Sequence, residues 1–205
     1  MSTERPIRIV CILGTGRPGN YTGKALDLVI DELGEDDQVE TLVIDPAEAD
    51  LGFPGTPASD GVPRMTEQVR GATGLVLATP EYHGSFSATM KLIIENLGFP
   101  SVLAGKPVAL LGVAAGAIGA IKSLEQLRSV CSHVGAIVLP GPVSIAGVQG
   151  VFDESGRCND PAVEARVRGL ATSLTDYIRR AVCPARNLET FVRDQQGATH
   201  SRSIE

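Results

Sequence analysis

The chain has 205 residues, 43% of them apolar and 20% charged, with a net charge of −6. That length suits one α/β domain that folds without a disulfide or metal, and the acidic balance argues against a nucleic-acid partner. Cys11, Cys131, Cys158 and Cys183 form no CxxC pair, which predicts reduced, largely buried thiols. No signal core follows Met1–Pro6, and the longest apolar stretch, Val108 to Ile121, is too short and glycine-rich to span a bilayer; a cytoplasmic protein with no membrane partner is expected.

Strand and helix patterns then alternate along the chain. Ile7 to Leu13 reads as a buried strand, and Leu26, Val29, Ile30 and Leu33 mark one face of a helix. Val39 to Ile44 alternates more weakly, as a strand near a sheet edge does. Val62 to Arg70 predicts a short helix and Gly74 to Thr79 a third strand. Met90, Ile93, Ile94 and Leu97 form the core stripe of the next helix, expected over Ala88 to Leu97. Val108 to Val113 is a continuous apolar strand, Ile118 to Val134 a long helix, and Ala136 to Leu139 a short fifth strand. Asp160 as N-cap and Pro161 at the first helical position open the last helix, whose apolar positions are Val163, Val167, Leu170, Leu174 and Ile178.

This alternation predicts an α/β, three-layer, flavodoxin-like fold: a five-stranded parallel sheet in the order 2-1-3-4-5 with helices on both faces. The domain is expected over residues 1–183. The polar tail 184–205 is expected to be disordered or, through Leu188, Phe191 and Val192, to dock on a neighbouring subunit. Two long glycine- and proline-rich connections, Pro46 to Pro63 and Pro140 to Asn159, are candidates for function.

Two loops carry the chemistry. Gly14-Thr15-Gly16-Arg17-Pro18-Gly19 lies between the first strand and helix and satisfies G-x-G-x-x-G, with Asp45 ending the second strand as a possible ribose acceptor. That pattern alone would suit a Rossmann-type NAD(P) enzyme without flavin. Asp45 comes late for that role, however, and Pro18 sits where the helix amides should gather. A phosphate-monoester cradle accounts for more: a helix N-terminus supplies unpaired N–H groups, Thr15, Asn20 and Thr22 supply side-chain donors, and Arg17 supplies a planar fork. The second loop, Thr79-Pro80-Glu81-Tyr82-His83-Gly84-Ser85, is read as a strand-to-helix loop at the carboxyl edge of the sheet, where open α/β folds bind ligands. Its proline, tyrosine and histidine suit a flat cofactor.

Together these loops resemble the NADPH-dependent FMN reductase family, whose members include chromate, quinone and azo-dye reductases. The family's G-S-x-R-x-x-S stands here as Gly14 to Asn20, and its T-P-E-Y-N-x-S as Thr79 to Ser85, followed by Met90-Lys91-Leu92 in place of L-K-N. A glycine-rich turn, Gly112 to Gly119, with Leu124-Glu125-Gln126-Leu127-Arg128 after it, is a third likeness. The resemblance implies that Thr15, Arg17, Asn20 and Thr22 hold the FMN phosphate, with Gly14 and Tyr21 in the same cofactor-binding segment. It implies that Pro80, Glu81, Tyr82, His83 and Gly84 line the isoalloxazine, and that Ala114, Ala115, Gly116 and Ala117 approach its far edge. His83 and Leu92 depart from the family's two asparagines, and Thr15 and Asn20 from its serines.

The activity implied is an FMN-dependent NAD(P)H oxidoreductase. NADPH or NADH reduces bound FMN, and a small-molecule electron acceptor (quinone, metal ion, azo or nitro compound, or free flavin) is then reduced in a ping-pong cycle. Flavin chemistry requires no protein nucleophile, and none can be assembled: His83, His133 and His200 fall on a loop, a helix and the tail without ligand spacing. No catalytic residue and no metal is therefore expected. Glu81 reads as a loop-fixing carboxylate, and His83 as a residue that shapes the pocket. Leu92, off the core stripe, suggests subunit contact in a homodimer or homotetramer. A flavodoxin-type electron carrier is the alternative that keeps the same cofactor.

Overall fold

Side chains alternate across a strand, so a run that is apolar at every position needs a covered surface on both sides. Three strands come near that description: β1 (Ile7–Leu13) is buried apart from Arg8, β3 (Gly74–Tyr82) apart from its last two residues, and β5 (Pro107–Val113) throughout. In a computed structural model describing residues 6–56, 60–185 and 188–189, these form the centre of a parallel sheet. The partly exposed β2 (Val39–Ile44) pairs with β1 at one edge. The helices are α1 (Tyr21–Gly34), α2 (Gly61–Gly71), α3 (Ala88–Asn96), α4 (Ile121–His133) and α5 (Pro161–Tyr177). Ile9, Cys11 and Leu13 face α1 and α5, while Val10 and Ile12 face α2, α3 and α4, giving two cores on either side of one sheet.

The predicted flavodoxin-like order holds, with seven strands rather than five. The fifth position is shared by two short pieces, β6 (Ile137–Val138) beside the start of β5 and β7 (Val143–Ile145) beside its end. Pro140, Gly141 and Pro142 separate them, because proline has no N–H to donate and Gly141 turns at φ 76°. So β7 lies within the expected long connection after Leu139. The seventh strand is β4 (Ser85–Phe86), the return arm of a hairpin on β3.

Helix starts follow their chemistry. Asp160 Oδ1 accepts from the amides of Ala162 (2.9 Å) and Val163 (3.1 Å), and Pro161 occupies the first turn. The predicted core positions of α3 and α5 are buried. By contrast α4 starts at Ile121 instead of Ile118. Gly119 sits at φ 80°, and a Cβ there would lie 2.5 Å from Ser144 Oγ, so the chain must turn before the helix begins. Cys11 and Cys131 are fully buried, and burial pushes both thiols up to about 12. Among the tail residues named from sequence, Leu188 is exposed; Phe191 and Val192 lie outside the described residues.

Candidate functional site

The loop after β1 is drawn tight against β3. The Gly14 amide donates to Ala78 O at 2.7 Å, and a Cβ on Gly14 would meet that same oxygen at 2.7 Å. Only glycine fits so close an approach of two backbones. Ser87, the N-cap of α3, accepts from Met90 N at 3.0 Å and donates its hydroxyl to Gly14 O. One buried serine thus starts a helix and fastens the loop.

Within the loop, buried Thr15 accepts the Arg17 amide on Oγ1 at 3.3 Å. Asn20 caps α1, its Oδ1 accepting from Gly23 N at 2.6 Å while its Nδ2 donates to Arg17 O at 2.7 Å. The carboxamide nitrogen carries two hydrogens, and this contact uses one. Thr22 is buried, and Tyr21 is half-buried with the Lys24 ammonium 5.1 Å from its ring centroid. Gly16, Arg17, Pro18 and Gly19 are exposed. The first turn of α1 has no acidic residue, so its positive dipole end faces the loop uncompensated. Asp45, the acid a dinucleotide site would use, accepts from Ala47 N at 2.8 Å inside its own turn.

The segment Thr79 to Ser85, expected as a loop, is instead mostly strand. β3 continues through Tyr82, turns at His83-Gly84, and returns as β4 with Tyr82 opposite Ser85. His83 at φ 52° and Gly84 at φ 74° are both left-handed, the signature of a two-residue type I′ hairpin. Asparagine and glycine favour that conformation, so the hairpin explains why the family motif carries Asn at the position of His83.

The hairpin is tied down at three points. Buried Thr79 accepts from Ser87 N at 3.1 Å through its hydroxyl and donates to Pro80 O at 3.0 Å. Glu81 Oε2 accepts from Ser123 N at 3.1 Å, capping α4, whose own N-cap residue Ala120 supplies no side-chain acceptor. Gln126, on α4, bonds both Gly84 O and Ser85 Oγ.

The two loops meet at the carboxyl edge: the Arg17 guanidinium lies 4.8 Å from the Tyr82 ring centroid, a cation–π contact. The third segment, Ala114 to Gly119, lies beyond β5, whose Val113 pairs with Pro80. Its backbone is fastened to β7 and the turn after it, with Ala114 N donating to Ile145 O at 2.9 Å and Gly147 N to Gly116 O at 3.1 Å. Ala120 N donates to Ser144 Oγ at 2.8 Å, while Ala115, Gly116 and Ala117 are exposed.

Thus every site residue expected from sequence lies on one of three adjoining carboxyl-edge segments. Ser87, Gln126 and Ser144 support those segments and were not expected. Ser87 had a legible signal, a serine directly before a helical stripe; Gln126 fell in the Leu124–Arg128 stretch of the third likeness but with no role attached, and Ser144 had no signal. His133 closes the far end of α4, and among the described residues no group of three His, Cys, Asp or Glu could hold a metal.

An open parallel sheet with an uncompensated helix start at its carboxyl edge is the architecture of the flavodoxin-like proteins. Among solved structures, NAD(P)H:(acceptor) oxidoreductase FerB of Paracoccus denitrificans superposes with a TM-score of 0.71 at 19% identity, over 84% of this chain and 97% of that one. The chain belongs to the NADPH-dependent FMN reductase family, whose model matches residues 7–150. It is 32% identical to an NAD(P)H-dependent FMN reductase of Pseudomonas aeruginosa, over 85% of this chain and 96% of the relative. It is 29% identical to a quinone reductase of Escherichia coli over the same shares, and 30% identical to an NADPH azoreductase of a Bacillus species over 77% and 80%. The protein is an oxidoreductase of a family that uses FMN and NAD(P)H.

Proposed function

We propose that this chain holds FMN with its phosphate on the Gly14–Thr22 segment and its ring beside Pro80–Gly84 and Ala114–Ala117. The observation that supports the reading is the Arg17–Tyr82 contact, in which a guanidinium fork and an aromatic ring meet at one point of the carboxyl edge. The donor set fits a phosphate monoester: exposed loop backbone, a helix start without an acid, and an arginine. When bound, FMN would supply the redox chemistry that links NAD(P)H to an acceptor. The protein's part is to bind, orient and leave one face open, which needs no side-chain base.

The acceptor is a small oxidised molecule, and the relatives named as quinone and azo reductases favour a flat aromatic one. The buried, free thiols Cys11 and Cys131 suit a reducing cytoplasm, and among the described residues no helix is long and apolar enough to cross a membrane. Phe53 and Phe99, 73% and 88% exposed, support a homo-oligomer in which such rings are covered. Residues 1–183 act as the FMN-binding domain.

Purified protein should be yellow, and anaerobic NADPH should bleach it; exposure to a quinone or azo compound should restore the colour. Protein that neither binds added FMN nor oxidises NADPH in its presence would overturn the reading. Bleaching without turnover of any acceptor would favour an electron carrier.

A further inference from the structure

The turn at His83-Gly84 is held from outside the hairpin, by a side chain to which the FMN reading gives no role. Gln126 Nε2 donates to Gly84 O at 3.0 Å, and Gln126 Oε1 accepts from Ser85 Oγ at 2.7 Å. The two ends of one carboxamide therefore grip consecutive residues of the turn. The hairpin needs such help. It has only two residue pairs, Glu81 with Phe86 and Tyr82 with Ser85, too few for a ribbon to hold itself in water. Its first turn residue is a histidine at φ 52°, a left-handed region that every residue but glycine enters at some cost. Glu81 anchors the root through Ser123, whereas Gln126 reaches the turn itself.

We propose that Gln126 is a positioning residue. It holds the His83–Ser85 backbone in one left-handed turn, so that the edge assigned above to the flavin ring is organised before cofactor arrives. Binding to a preorganised turn avoids the ordering cost that a loose one imposes. Polarity matters: glutamate at this position could not donate to Gly84 O, and two carbonyl-type oxygens would face each other. This inference rests on the FMN reading, so its test has one readout that needs no cofactor.

Amide hydrogen exchange in cofactor-free protein supplies that readout, with wild type compared against Gln126→Ala and Gln126→Glu. Alanine favours helix, so α4 itself should persist. The amides of Gly84, Ser85 and Phe86 should exchange at least about tenfold faster in both variants, with those of β1 and β5 unchanged. Titration by flavin fluorescence should show the FMN dissociation constant raised about tenfold, as the loss of one or two neutral hydrogen bonds predicts. Adding His83→Asn to Gln126→Ala should recover much of that loss, because Asn-Gly adopts the type I′ turn unaided. Wild-type exchange at the turn in Gln126→Ala would overturn the proposal, whatever happens to FMN affinity. Faster exchange with an unchanged dissociation constant would overturn its link to the cofactor. If wild type binds no FMN, the functional reading fails, and the exchange experiment still decides whether Gln126 holds the turn.

Discussion

The two ends of the parallel sheet are finished in different materials. At the carboxyl edge the chain ends its strands in backbone: Gly14 packed on Ala78 O, His83 and Gly84 in left-handed turns, Ala115 to Ala117 exposed. At the amino edge it ends in paired charge. Arg179 binds Asp36, and Arg168 ties α5 to Asp31 and Glu32 in the last turn of α1. A cleft of about 530 Å³ opens there, lined by residues including Glu32, Glu35, Asp36, Asp37 and Asp176. That cleft is roomy, but its acids repel a phosphate and Arg179 is already engaged. The carboxyl edge offers amide donors, a helix start and a ring directed at one place. Convergent donors, more than empty volume, favour the carboxyl edge as the candidate site.

The largest expected effect comes from closing the tightest approach at the carboxyl edge. Gly14→Ala forces its methyl group into Ala78 O and should cost about 3 kcal/mol, the upper end of overpacking in a rigid site. Thermal unfolding should show it, and FMN binding should fall with it. Tolerance of alanine at full stability would show that the loop can retreat. Next, Arg17→Ala should weaken FMN binding by about 1.5–3 kcal/mol, roughly ten- to a hundredfold, with the melting temperature nearly unchanged. An unaltered dissociation constant would remove Arg17 from the phosphate.

Ser87→Ala deletes both the α3 cap and the tie to Gly14 O, and should cost about 1–2 kcal/mol of stability. Denaturant unfolding measures this, and a neutral result would separate the loop from α3.

The smallest effect belongs to the amino edge. Asp36 is held below the ordinary carboxylate range by its hydrogen bond from Arg179 and by the Gln38 amide. A lowered folded-state pKa gives stability that is present above the unfolded value, about 3.9, and lost as pH falls through the folded value. Asp36→Asn should therefore be less stable than wild type at neutral pH by at most about 1 kcal/mol. The gap should close below about pH 4. FMN affinity should not change, and a change would join the two ends of the sheet functionally.

Much of this is legible in the amino-acid sequence alone. Continuous apolar runs such as Val108 to Val113 can only be buried on both faces, which implies helices above and below and hence the α/β order. Asp160-Pro161 announced α5 by local chemistry alone. The hairpin was not legible: Pro80, His83 and Gly84 read as loop residues, and their strand pairing depends on Phe86 returning across Glu81. Nor was the divided fifth strand. Three residues, Val143 to Ile145, carry too little pattern, and their partner is β5, far along the chain.

What the amino acids settled by themselves is the family and the layered fold, and they singled out the candidate binding segments, because periodicity, caps and short motifs act over a few residues. Tertiary packing alone decided that Arg17 meets Tyr82, that Glu81 caps α4, and that Ser87 pins Gly14. Those contacts join distant stretches of chain at fixed geometry, and such geometry arises only once both sheet faces are covered.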